Sequence, residues 1–481
     1  MAYGVVVKVL GELLALEALM MLPAWLIAVF LRQQDAPAFL ASMLAAGAVG
    51  LAMSRAKAGK GKIKVKEGLA IVALGWLLIS VFGALPFVLS GSIPSFVDAF
   101  FETVSGFTTT GATLVDDVEA LPQGILFWRS FTHWIGGMGI LVFTVALLPA
   151  LGVGGFQIFK AESPGPVADK IVPKIKDTAK ILYTTYIAIT LIQIVLLRLG
   201  GMSLYEAALN TFGTVGTGGF STRNASIGAY DSVYLQMVIA FFMVLSGINF
   251  SLYFSLYQGK WRDVFKNEEL RLYLGIIMVS AALISLNIAS EYDSFGLALK
   301  DSFFQTGSLI TTTGFATTNY DLWPTFSKAI LFLLMFVGAS AGSTGGGIKS
   351  IRILVLFKLI RREISKIFHP RGVIPVKVNQ KVVNSDQLSG ITSFFVLYML
   401  IFVLGTIAIS LEGIDLISAA SAVVSALSNI GPGFGVVGPS CTFSGFSDLG
   451  TLFLAGLMLL GRLELFTIVA LLAPKAWRNE V

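Results

Sequence analysis

Four short stretches of this 481-residue chain set glycine within two residues of threonine or asparagine, in patterns that leave backbone oxygens free to bind an ion. They read Phe107-Thr-Thr-Thr-Gly111-Ala-Thr, Gly213-Thr-Val-Gly-Thr-Gly218-Gly-Phe, Ile310-Thr-Thr-Thr-Gly314-Phe-Ala and Ser428-Asn-Ile-Gly431-Pro-Gly-Phe. Aligned on Gly111, Gly218, Gly314 and Gly431 they recur roughly every 100 residues, the period of a repeated structural unit. Glycine accepts backbone angles closed to other residues and puts no side chain on an axis. A short extended segment with its carbonyls facing that axis replaces the water shell of a cation. Without such ligands, moving the ion out of water costs tens of kcal/mol. One Thr-Thr-Thr-Gly alone reads as an ordinary helix end, where glycine is common. Four in register read as a ligand set for a monovalent cation.

The elements that would hold these segments are apolar. Hydrophobic residues make up 55% of the chain and charged ones only 13%, and the mean hydropathy is +0.82. Runs long enough to cross a hydrocarbon core of about 30 Å fall near 9–31, 37–53, 68–90, 124–150, 179–200, 233–257, 270–289, 327–366, 388–411 and 448–473. Shorter stretches near 95–108, 203–215, 297–310 and 415–428 would reach only about 20 Å as helices, which suits re-entry from one side. Each of them leads into one of the four glycine segments. The expected fold is an all-α polytopic membrane protein, with four helix–pore loop–helix repeats around one pore and two extra N-terminal transmembrane helices. The boundaries are 1–53 for the extra pair, then 67–150, 178–258, 270–367 (with a broken second helix) and 387–473 for the repeats. Non-helical backbone is tolerated at membrane depth only where it lines a cavity or is buried in protein.

Most of the 34 Lys and Arg residues fall in alternate connections. They cluster at Arg55–Lys66, Lys160–Lys180, Lys260–Arg271 and Lys349–Lys381, with Lys8, Lys475 and Arg478 at the ends. The intervening connections carry Asp116, Asp117, Glu119, Asp231, Glu291, Asp293, Asp321 and Asp415. The positive-inside rule then places the basic side and both termini in the cytoplasm. The net charge of +6 is a topology signal, so no nucleic-acid partner is expected, and membrane lipid is the natural surround. A single cysteine, Cys441, excludes an intrachain disulfide.

Beyond the glycine segments stand Trp-Ile-Gly-Gly-Met-Gly-Ile (134–140), Gly-Gly-Phe-Ser-Thr (218–222), Ala-Gly-Ser-Thr-Gly-Gly-Gly-Ile-Lys (341–349), Asn-Ile-Gly-Pro-Gly (429–433) and Gly-Arg-Leu-Glu (461–464). With Ser-Gly-Phe-Thr-Thr-Thr-Gly-Ala-Thr (105–113) they make the sequence resemble the Trk/Ktr/HKT superfamily of cation transporters, and within it the bacterial TrkH branch. The likeness runs along essentially the whole chain, including the extra N-terminal pair. It implies potassium uptake across the bacterial inner membrane, a homodimer with one pore per subunit, and a TrkA-like cytoplasmic ring of nucleotide-binding regulatory subunits. NAD or ATP would act only through that ring; the chain itself needs no cofactor, and K+ is its cargo. The family's filter positions map onto Thr109, Thr110 and Gly111; Gly216, Thr217 and Gly218; Thr312, Thr313 and Gly314; and Asn429, Ile430 and Gly431. Ile430 departs from the threonine pattern and makes the set asymmetric. In related plant transporters, glycine at all four filter positions accompanies potassium passage, and serine at the first accompanies sodium. His133 stands where a glutamine or similar residue would be expected, and the sequence assigns it no role.

Two features point to a gate. The 327–366 run would extend about 60 Å as one helix but is interrupted by Gly338-Ala-Ser-Ala-Gly-Ser-Thr-Gly-Gly-Gly347. Each glycine costs a helix interior about 1 kcal/mol, so a loop is expected there. Such a loop belongs beside water or protein, which makes the pore its natural place, with a small-residue packing face between helices as the alternative. Arg462 lies about 20 Å into the last run, where a lone charge costs roughly 2.5–3.5 kcal/mol. The resemblance sets the loop below the filter with the arginine against it. The gate set is therefore Gly342, Gly345, Gly346, Gly347, Lys349 and Arg462.

Signals of catalysis do not assemble. Gly342-Ser-Thr-Gly-Gly-Gly-Ile-Lys349-Ser approaches a phosphate loop, but Ile348 separates glycine from lysine and no strand precedes it. Gly433-Phe-Gly435-Val-Val-Gly438 matches a dinucleotide fingerprint without its strand, and Pro439 follows. His133 and His369 are too far apart in the pattern for a metal pair. The chain is not expected to be an enzyme. A secondary transporter coupled to a proton or sodium gradient is the other class left open.

Overall fold

A computed structural model describes residues 3–57, 65–139 and 175–472. The end of the fourth apolar run (140–150), most of the basic arm at 151–178, Lys60, Lys62, Lys64, Lys475 and Arg478 lie outside the described residues. Helices dominate, in chain order α1 (Tyr3–Met20), α2 (Leu22–Phe30), α3 (Ala36–Ser54), α4 (Val65–Gly83), α5 (Leu85–Leu89), α6 (Phe96–Phe107) and α7 (Gln123–Gly137). Then come α8 (Ile175–Leu199), α9 (Leu204–Val215), α10 (Val233–Ser246), α11 (Phe250–Tyr257), α12 (Trp261–Lys266), α13 (Glu268–Ile288) and α14 (Phe295–Ile310). The rest are α15 (Thr325–Val337), α16 (Ser350–Phe368), α17 (Ser385–Ser410), α18 (Leu416–Ser428), α19 (Asp448–Arg462) and α20 (Phe466–Leu472).

Among the described residues, 6 helical stretches are long and apolar enough to cross a membrane, each overlapping a run picked out by hydropathy. Of the other runs, 233–257, 327–366 and 448–473 are broken, the second of them as expected, and the described part of 124–150 is α7. The 233–257 run bends by 92° between α10 and α11, where Asn249 caps the second piece through the Ser251 amide. The 327–366 run breaks between α15 and α16, as its glycines require. The last run breaks at Leu463–Leu465, where Glu464 and Leu465 take positive φ (59° and 31°) without a glycine to announce it. The N-terminal pair crosses closely because two glycines face each other. A methyl group on Gly11 would lie 2.6 Å from the Gly50 oxygen.

The four short helices α6, α9, α14 and α18 form the centre. Each starts at an oxygen-bearing cap: Ser95, Ser203 and Ser294 each accept from the third amide beyond, and Asp415 from those of Ile417 and Ser418. The helix that follows each glycine segment packs on the short helix of the next unit: α7 on α9, α10 on α14, α15 on α18, and α19 back on α6. The arrangement therefore closes on itself. The apolar core follows the same seams, one cluster joining α10, α14 and Phe315, another α14, α15, Ile430 and Phe434.

Candidate functional site

The four short helices end alike. Thr109, Thr217, Thr312 and Asn429 adopt left-handed φ values of 56°, 55°, 59° and 57°. The next amide bonds back to the helix, from Thr110 to the Ser105 oxygen (2.8 Å), Gly218 to Gly213 (2.8 Å), Thr313 to Ser308 (2.9 Å) and Ile430 to Ser425 (3.0 Å). This is the Schellman closure, usually built on glycine. Three of the four left-handed residues are threonine, a β-branched type for which that conformation is an outlier. Strain of this kind costs about 1–3 kcal/mol per residue and persists where surroundings impose it. Two residues further on, Gly111, Gly219, Gly314 and Gly431 take φ of 83°, 80°, 80° and 100°.

That backbone register corrects the second segment. The residue equivalent to Gly111, Gly314 and Gly431 is Gly219, not Gly218, and the triplet is Thr217-Gly218-Gly219. Gly216 is the right-handed C-cap of its helix (φ −71°), matching Thr108 and Thr311. The Thr217-Gly218 pair copies the Thr-Gly signature one residue early, which is why pattern alone misplaced it.

The four glycines form a closed ring of contacts. A methyl group on Gly111 would sit 1.9 Å from the Gly218 oxygen, on Gly219 2.0 Å from that of Thr313, on Gly314 2.0 Å from that of Ile430, and on Gly431 2.7 Å from that of Thr110. Each glycine thus admits the carbonyl of the next segment, and the fourth admits that of the first. All four glycines, with Asp116, Ser221 and Thr442, line one cavity of ≈ 170 Å³. The C-terminal ends of four helices meet here, each carrying about half a negative charge. The ring thus gathers partial negative charge from four helix ends, in a cavity that Arg129 and Asp116 also line.

Behind the ring, hydroxyls brace the backbone. Thr108 and Thr110 pair at 2.7 Å, as do Thr311 and Thr313. The Asn429 amide donates to the Thr110 hydroxyl (3.0 Å) and the Met458 carbonyl (2.9 Å), tying the fourth segment to the first. The Ser425 hydroxyl donates to the Gly431 carbonyl.

A buried ion pair, which the sequence reading did not single out, locks the first segment to the second. Glu102 on α6 accepts from Arg129 Nε (2.6 Å), the Thr113 hydroxyl (2.9 Å) and the Leu114 amide (3.0 Å). Arg129 on α7 donates to the Ser221 carbonyl (3.2 Å) and covers the Phe220 ring at 3.5 Å. Arg129→Leu leaves the carboxylate buried without its charge partner, at a cost of about 3–5 kcal/mol. The expected result is a lower unfolding midpoint in detergent, and an unchanged midpoint would show that the pair contributes nothing. Outside the ring, Asn224 binds Asp117 at 2.9 Å, and that hydrogen bond holds the carboxyl below its usual range.

The loop between α15 and α16 lies against the third and fourth segments. The Gly346 amide donates to the Thr312 hydroxyl at 2.7 Å. A methyl on Gly346 would meet the Ser428 oxygen at 2.1 Å, and one on Gly345 the Thr311 oxygen at 2.7 Å. Gly338, Gly342 and Gly347 take left-handed angles, and Gly342 accepts from the Phe250 amide just past the α10–α11 bend. Lys349, buried and at φ 79°, folds back to bond the Gly345 carbonyl. Arg462 closes α19 and donates to the Thr344 carbonyl (2.8 Å) and to those of Gly136 (2.5 Å) and Gly137 (3.2 Å) at the end of α7. The structure therefore brings together the six residues expected to form a gate, five in the loop and Arg462 bound to it through the Thr344 carbonyl. Glu464, on the break after α19, is taken by Arg352, which stacks on Phe394 at 3.8 Å.

A family of cation transport proteins, TrkH, matches residues 35–275 and 288–479. The Trk system potassium uptake protein TrkH of Salmonella typhimurium is 39% identical over the full length of both chains. Escherichia coli TrkG, another Trk system potassium uptake protein, is 35% identical over 99% of each. The crystal structure of the potassium transporter TrkH from Vibrio parahaemolyticus superposes with a TM-score of 0.89 at 35% identity, covering 99% of this chain and 100% of that one. With sequence and fold matched from end to end, this chain belongs to the TrkH family of cation transport proteins, and is a transporter, not an enzyme.

Proposed function

We propose that this chain carries potassium into the cell through a pore whose filter is the ring formed by the Thr109–Gly111, Thr217–Gly219, Thr312–Gly314 and Asn429–Gly431 segments. The observation that carries this reading is the closed glycine-against-carbonyl ring opening on one cavity. Backbone oxygens of that density replace a cation's hydration shell, and helix C-termini add to the attraction. The four units are the repeats bounded at 67–150, 178–258, 270–367 and 387–473. Membership of the family supports a multi-pass protein of the inner membrane. The distribution of basic residues supports cytoplasmic termini.

The test is flux from proteoliposomes with ionic substitution. Potassium and rubidium movement is expected down their own gradient, with sodium slower and with no requirement for a proton or sodium gradient. Strict dependence on either gradient would replace the channel reading with a coupled transporter.

Regulation follows from the loop. It blocks the filter's inner side, Lys349 and Arg462 fasten it, and α16 leads from it to exposed Arg361 and Arg371. That basic surface suits a TrkA-like nucleotide-binding ring, and the assembly is a homodimer as in the family pattern. Nucleotide is expected to change flux only with the partner bound. Saturable nucleotide binding by the purified chain alone would count against this arrangement.

A further inference from the structure

The second filter segment lacks the paired hydroxyls of the first and third. Where those have Thr108 with Thr110 and Thr311 with Thr313, it has Gly216 and Gly218. Both vacated positions are filled by one residue of α7. A methyl on Gly218 would lie 2.3 Å from Cγ and Nδ1 of His133, pressed against the imidazole ring. A methyl on Gly216 would lie 2.5 Å from the His133 carbonyl oxygen. Neither neighbour is the free end of a flexible chain.

In place of a hydroxyl pair, the buried ring makes two hydrogen bonds of its own. The Phe220 amide, immediately after Gly219, donates to Nε2 at 3.2 Å, so Nε2 is an acceptor and the proton sits on Nδ1. Nδ1 then donates to the Gly106 carbonyl at 2.8 Å, at the end of the first unit's short helix. His133 further packs on Phe220 with ring centroids 4.1 Å apart. One neutral imidazole thus spans two adjacent segments, and it backs Gly218, whose carbonyl enters the Gly111 gap.

We propose that His133 is a positioning residue of the filter, which replaces the threonine hydroxyl pair in the second segment and sets where the Gly218 carbonyl stands. This rests on the filter reading above. A displaced Gly218 carbonyl alters the fit to potassium before it abolishes conduction, so the informative quantity is a permeability ratio.

The experiment measures potassium over sodium permeability in proteoliposomes for His133→Ala, His133→Gln, the double variant His133→Ala/Gly218→Ser, and Gly314→Ala. His133→Ala, which loses two buried hydrogen bonds, is expected to lower the ratio roughly tenfold. His133→Gln recovers most of it, because its amide accepts from Phe220 and donates to Gly106. The double variant recovers part, since the serine fills the emptied space. If His133→Ala does not reach the membrane, His133→Leu makes the same comparison by filling the volume without the hydrogen bonds. A ratio that stays at the wild-type value in His133→Ala or His133→Leu overturns the proposal, as does lost flux at constant ratio. Gly314→Ala, on a segment His133 does not touch, separates the two readings. If it shifts the ratio and the His133 variants do not, only the role of His133 falls. If it too leaves the ratio unchanged, the filter assignment fails with it.

Discussion

Gly111→Ser is expected to lower potassium uptake by about tenfold or more and to raise sodium permeation relative to potassium. Two costs act on the same atom. At φ 83° a residue with a Cβ is strained by about 1–3 kcal/mol, itself one to two decades in an equilibrium. The Cβ would also start 1.9 Å from the Gly218 oxygen, which is backbone and has no rotamer to yield. The ring must open at that seam or turn the carbonyl aside. An opened ring holds the ion less closely, and tolerance of partly hydrated sodium rises while potassium loses a ligand. The measurement is uptake in a potassium-deficient strain together with permeability ratios in vesicles. A variant present at normal abundance with an unchanged ratio would place the filter elsewhere.

Deleting Gly345–Gly347, or replacing Arg462 with alanine, is expected to raise basal potassium flux in the absence of any partner. The loop is held by contacts of separate origin: the Gly346 amide on Thr312, the Arg462 guanidinium on Thr344, and Lys349 on Gly345. Deletion removes the obstruction. Arg462→Ala releases it from α7 and also removes a positive charge beside the ion's path. At 6 Å and an effective dielectric of about 20, that charge repels a cation by about 3 kcal/mol, roughly a hundredfold in occupancy. Glu464→Ala leaves the three carbonyl contacts of Arg462 intact and frees Arg352 instead, so its effect on basal flux is expected to be smaller. If the deletion and Arg462→Ala both conduct at the wild-type rate after normal insertion, the gate is not this loop.

Hydropathy located the helices because lipid leaves little freedom: a span must be apolar and about 20 residues long. It passed over the breaks at Ser246–Asn249 and Leu463–Leu465 because broken helices in protein-lined surroundings stay as apolar as whole ones. The glycine segments were legible since their chemistry needs glycine itself. Their register in the second unit was not, because Gly216, Gly218 and Gly219 crowd one another and only backbone angles separate a helix end from a ring position. Arg462 was legible as a charge at depth. Glu102, Arg129 and His133 act through partners far along the chain, so sequence spacing held no trace of the contacts that define them.

The ring closes within a single polypeptide, and that changes how it can diverge. In an assembly of four identical chains, one codon rewrites all four positions, and a change costing 1 kcal/mol at one seam costs about four times that in the whole ring. Here Ile430, Gly218 and Asn429 stand where other segments carry threonine, each with its own local support. A single substitution perturbs one quarter of the ion's surroundings and leaves three seams to hold the ring closed. Inherited variation can therefore explore selectivity in small steps, one segment at a time, and a loss at one position can be offset from a neighbouring helix.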